Sequence, residues 1–163
     1  MSGLRKIAML LGALSLAITL ATSPGSAEKT PYPLPDITGW NSGDRVSMEL
    51  ETPSEKLGCR VEGIYKRRTD NHSVFVVLVK GPGTLWQGLP EGEINTDDGP
   101  IGSGAMFSTL KIGGRKAVIE CHPLTGRVLV VEVSPDFTLT FETRYEDVEL
   151  ERFALAFLEK LDQ

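Results

Sequence analysis

This chain is poor in the residues that do chemistry. It has two cysteines and two histidines in 163 residues. Cys59 and Cys121 form no C-x-x-C, and His72 and His122 are not at ligand spacing, so no metal or cofactor site is expected. Cys121-His122, with the thioethers of Met48 and Met106, has the donors of a soft-metal site. Neighbours on a strand point to opposite faces, however, which separates that pair and equally opposes a Cys/His nucleophile. No G-x-S-x-G elbow marks a nucleophile, and two acids cannot be singled out from 22 Asp+Glu for glycoside chemistry. No catalytic residue is assigned, although Asp70 and His72 with a serine hold the residue types of a triad. Phosphate loops are missing too. Gly81-Pro82-Gly83 lacks a G-x-x-x-x-G-K-[ST] continuation, and Gly102-Ser103-Gly104 leads into a strand rather than a helix.

Positive charge is also scarce. Arg5 and Lys6 account for two of the 17 Lys+Arg, so the chain after residue 27 carries 15 against 22 acids, a net of −7. That balance opposes non-specific binding to nucleic acid or anionic lipid. Repeats, heptads and low-complexity tracts are absent.

What is present begins with the first 27 residues. Arg5 and Lys6 precede an apolar run from Ile7 to Ala21, and Gly25-Ser26-Ala27 ends the stretch before Glu28. This is the order of a secretory signal peptide cut after Ala27. A spanning helix wants about 20 mostly apolar residues, and Gly12, Ser15 and Thr19 dilute this run, so stable membrane insertion after cleavage is not expected. A lipid anchor would need a Cys at the cut, and none precedes Cys59. The expected location is periplasmic or secreted. Residues 28–43, with Pro31, Pro33 and Pro35, read as an extended arm or a tail. Residues 44–163 are long enough for one exported domain with a core.

The domain reads as α+β: about seven antiparallel strands packed against a C-terminal amphipathic helix. Arg45–Glu51 alternates, with Val46, Met48 and Leu50 on one face. Cys59–Tyr65 follows, and Ser73–Lys80 is apolar on both faces, as a strand covered on both sides would be. Arg67 to Asn71 looks like a hairpin tip; Lys66, Arg67 and Arg68 there are solvated turn residues or a patch for an acidic partner. Ala105–Ile112, Arg115–His122, Arg127–Ser134 and Phe137–Thr143 make a four-strand meander, with Gly113-Gly114 as a two-residue hairpin turn. Leu150, Phe153, Ala154, Phe157, Leu158 and Leu161 recur on one helical face, and Asp147 is the expected N-cap.

In an oxidising compartment, Cys59 and Cys121 read as a disulfide. Strand parity turns both inward, beside Val61 and Ile119, and a 62-residue loop closed by the bridge would be stabilised by roughly 4 kcal/mol.

Gly81 to Gly104 holds seven glycines and three prolines in 24 residues. Long loops of this kind carry function disproportionately. Trp86, Asn95, Asp97 and Asp98 are the candidate binding residues there. An EF-hand count from Glu93 fails at position six, Asp98, and at position twelve, Gly104. The cluster therefore reads first as an Asx-rich turn. Trp40 and Trp86 have the faces to stack on a sugar or peptide, but also suit core packing. The sequence thus points to an exported, non-enzymatic binding or accessory domain for a protein or small ligand. Its alternatives are a small hydrolase using His72 or His122 as base, and a purely structural envelope component.

Overall fold

The computed structural model describes residues 32–84, 95–97 and 104–163. The leader and the first residues of the arm lie outside these. Eight strands form one antiparallel sheet: β1 (Trp40–Glu51), β2 (Lys56–Arg67), β3 (Ser73–Lys80), β4 (Asn95–Asp97), β5 (Met106–Ile112), β6 (Arg115–His122), β7 (Gly126–Ser134) and β8 (Phe137–Thr143). Among the described residues one α-helix, α1 (Leu150–Leu161), follows the strands. The fold is α+β, a sheet packed against a C-terminal helix, with the four-strand meander in place. The eighth strand, β4, is three residues inside the glycine-rich segment.

The spatial order is β1-β2-β3-β8-β7-β6-β5-β4. Two meanders therefore meet at a central seam, β3 against β8, where Val76 pairs with Phe141 and Leu78 with Leu139. Short turns join β1 to β2, β2 to β3 and the successive strands from β5 to β8. Gly113 and Gly114 both take positive φ, 56° and 80°, as a primed two-residue turn requires.

The core lies on one face of the sheet. Val61 and Tyr65 of β2, Val76 and Leu78 of β3, Leu139 and Phe141 of β8, Leu129 and Val131 of β7 and Ala117 of β6 are all buried. The register places them side by side. Onto this surface α1 lays Leu150, Phe153, Ala154, Phe157 and Leu158. Phe153 meets Trp40, Tyr65 and Phe141 edge-on, at centroid distances of 4.8, 5.3 and 5.9 Å. The described end of the arm belongs to this core. Leu34 and Ile37 are buried in it, and the Tyr65 hydroxyl donates to the Pro35 carbonyl at 2.7 Å.

Two expectations are corrected. Asp147 does not cap α1. Glu149 occupies the cap position without a side-chain cap bond, and the Asp147 carboxylate turns instead to Arg67 and His72. Nor are Cys59 and Cys121 bridged; both are free thiols. Parity puts each on the core face, but register separates them. Cys59 lines up with Lys80 and Phe137, and Cys121 with Arg127 and Thr143, at opposite ends of β8. Three strands also lie between β2 and β6. At about 4.8 Å per strand and about 3.4 Å per residue, the two sites are roughly 20 Å apart in each direction. A bridge tolerates Cα atoms no more than about 7 Å apart.

Candidate functional site

Three places merit description, and the first is the end of the β2–β3 hairpin. Its tip closes with Asn71 at φ 63°, a left-handed position that asparagine accepts readily. The turn brings Arg67, Asp70 and His72 together. Arg67 Nε donates to both Asp70 oxygens at 3.0 and 3.1 Å, and Nη2 donates to Asp70 Oδ2 at 2.7 Å. Nη2 also donates to Asp147 Oδ2, and Nη1 to the Asp147 carbonyl at 3.2 Å. His72 Nδ1 lies 3.0 Å from Asp147 Oδ1, and its ring stacks on Tyr145 at 4.0 Å. The guanidinium, by its hydrogen bonds, holds the Asp70 carboxyl down at about 2, and holds Asp147 below the usual range.

The residue types are those of acid–base chemistry, but the geometry is that of a clasp. Nδ1 faces Asp147, which leaves Nε2 for a reaction, and among the described residues no hydroxyl hydrogen-bonds that atom. Ligand atoms of Asp70, His72 and Asp147 lie within 4.8 Å of one another. Arg67 already donates to both carboxylates, so its positive charge stands where a cation would. The other histidine is also engaged: His122 Nδ1 accepts from the Leu124 and Thr125 amides at 3.1 and 3.2 Å, securing the β6–β7 turn.

Beside the clasp lies an open groove of about 480 Å³, lined by residues 36–42 and Arg68. Trp40 is half-buried against Phe153, and Arg68 Nε donates to Asn41 Oδ1 at 3.0 Å. Of the three basic residues at this hairpin, only Lys66 and Arg68 are exposed.

The second place is the glycine-rich segment. Asn95 and Asp97 stand at the two ends of β4, paired with Ser108 and Met106. Trp86 and Asp98 lie outside the described residues.

The third place is the sheet face opposite α1. The alternation of β1 directs Val46, Met48 and Leu50 here, because they pair with Glu62, Arg60 and Gly58 while Val61 faces the helix. A middle row crosses the sheet through Val46, Glu62, Val77, Thr140, Val130, Val118 and Thr109. On one side runs an acidic row, Ile64, Phe75, Glu142, Val128, Glu120 and Phe107. On the other runs a basic row with Met48, Arg60, Val79, Thr138, Glu132, Lys116 and Lys111. Val77 and Thr138 are buried, the apolar residues around them are half-buried, and Val46 and Ile64 are 52% and 43% exposed. Among the described residues, neither a helix nor a second sheet covers this face. Burial pushes the Glu142 carboxyl up; Arg60 opposes the shift, and Glu62 and Glu120 add to it.

No family model matches this chain, and neither a curated protein nor a solved structure matches it.

Proposed function

We propose that this chain is an exported, non-enzymatic binding domain whose working surface is the sheet face opposite α1. The observation that carries the reading is the two-sided apolar character of β3 and β7. Val76, Leu78, Leu129 and Val131 are buried against the helix side. Phe75, Val77, Val79, Val128 and Val130 face the other way, where among the described residues no element of regular structure packs. On this face Val46 and Ile64 remain 52% and 43% exposed, and apolar surface left in water marks interaction sites. The leader supplies the export half of the reading. No helix among the described residues is long and apolar enough to cross a membrane. The hydrolase alternative has no comparable support, since His72 and His122 are both engaged in holding turns and loops.

A photo-crosslinking amino acid at position 130, with position 159 on the exposed side of α1 as control, tests the surface in native envelope extracts. The reading expects a discrete adduct from 130 and none from 159. No adduct from 130, or the same adducts from both positions, would overturn it.

A further inference from the structure

Among the described residues the two ends of the sheet differ. β4 closes one end with three residues, and β1 closes the other with twelve. Asn41 to Ser47 are all exposed, and Val46 is 52% exposed. A long strand at a sheet edge offers a row of backbone donors and acceptors to another chain.

The direction of those groups follows from β2. The Arg67 amide donates to the His72 carbonyl, on the β3 side, and the Arg68 amide donates to the Gly39 carbonyl, on the β1 side. Alternation then turns the backbone of Glu62 and Arg60 toward β1, and that of Gly63, Val61 and Cys59 toward β3. Val46 and Met48 therefore bond to Glu62 and Arg60. Arg45, Ser47 and Glu49, which lie opposite Gly63, Val61 and Cys59, direct their backbone groups outward.

We infer that this edge pairs with the same edge of a second copy, antiparallel, about a twofold axis through Ser47 and normal to the sheet. The inference is independent of the open face, and it keeps α1 of both copies on one side.

Outward groups must meet outward groups, so the axis passes through a residue and never between two. Charge and regularity choose the residue. Centred on Ser47, the register sets Arg45 opposite the partner's Glu49, Val46 opposite the partner's Met48, and Ser47 opposite its own counterpart. Its three outward pairs exchange about six backbone hydrogen bonds. Each charged junction is balanced. Arg45 already pairs with Asp36 at 3.4 Å and Glu49 with Lys56 at 2.9 Å, so two cations meet two carboxylates. The paired residues all lie in the regular run between the bulge after Ser42 and the irregularity after Leu50. Beyond that run Asp44 and Glu51 stay exposed, as they are in the single copy.

The neighbouring registers do worse. An axis through Met48 matches Arg45 only with Glu51, past the irregularity, and gives Glu49 no cation. An axis through Val46 puts Glu49 opposite the bulge at Gly43. An axis through Glu49 sets that carboxylate against its own counterpart. A parallel arrangement turns one copy over and sets Val46 and Met48 beside the partner's charged row. The contact is small, so the association depends on concentration.

Sedimentation of the purified exported chain from roughly 1 to 300 μM tests the pairing. The average mass should climb from one chain toward two. Ser47→Pro removes an amide that points outward and leaves the β2 ladder whole, so it should weaken dimerisation about tenfold or more with little change in melting temperature. Arg45→Glu and Glu49→Arg should each weaken it about tenfold, and the double variant should return to within a few-fold of the parent. A monomer throughout the range, a dimer indifferent to Ser47→Pro, or a double variant no better than the single ones would overturn the inference. Should a variant unfold, Ser47→Cys gives an independent reading, because the two Cα atoms across the axis stand about 5.5 Å apart, within reach of a disulfide. Under mild oxidation, chains linked through position 47 support the axis, provided that Leu124→Cys, at a site 87% exposed on the β6–β7 turn, gives no link. No link at 47, or equal linking at both positions, overturns it.

Discussion

Arg67 shows how one side chain sets the charge state of its neighbours. It donates to Asp70 and Asp147, residues from two parts of the chain 77 positions apart, and keeps both carboxyls ionised. A carboxylate held below its unfolded value stabilises the fold at pH above that value and loses the contribution as pH falls through the folded one. For Asp70 the window runs from about 3.8 down to about 2. Asp70→Asn should therefore melt below the parent near neutral pH, and the gap should close between pH 4 and pH 2; thermal melts across that range check it. The clasp was only half legible in the sequence. Asp70, Asn71 and His72 mark themselves by proximity and turn chemistry. Asp147 carries a helix-cap signature that proved misleading, because what claims its carboxylate is an arginine 80 positions earlier, and no local pattern reports that.

At the scale of elements, α1 was the most legible part of the fold. Its 3.6-residue periodicity names five residues that are buried, Leu150, Phe153, Ala154, Phe157 and Leu158. Phe153 sits at the centre of an aromatic cluster with Trp40, Tyr65, Phe141 and Phe157. Phe153→Ala should cost about 3–5 kcal/mol, which for a domain of this size lowers the melting temperature by roughly 10–20 °C. Calorimetry or a circular-dichroism melt measures it. The strands were legible as strands, and the alternation of β1 correctly grouped Val46, Met48 and Leu50. Which side of the sheet that group faces depends on pairing with β2, a register that the alternation of one strand does not contain. The same gap explains the cysteines: parity is local, whereas the row a residue occupies depends on every strand between.

For the whole molecule, strand order was the part that sequence reasoning could not reach. Each meander announces itself through its turns, but nothing local says that β3 and β8 will be neighbours. That seam pushes β2 and β6 apart and leaves both thiols free. Alkylation of the exported protein after denaturation without reductant, followed by intact mass analysis, should show two adducts on a chain that begins at Glu28. One experiment thus reads both the cut and the thiols. A mass with no adducts would mean the cysteines are joined and the strand order wrong. Burial also pushes the Cys59 thiol up, so labelling of the folded protein at that position should be slow.

The central seam has a consequence for how this chain comes into being. The middle of the sheet is zipped from its third strand and its last, so during synthesis β3 emerges with neither its final neighbour nor its helix yet made. More than 50 residues must follow Lys80 before β8 begins at Phe137. Through that interval a strand apolar on both sides stands at an unpaired edge, the state in which another chain can add to it. The apolar edge of β3 thus gains its neighbour only when the second half of the chain supplies β8.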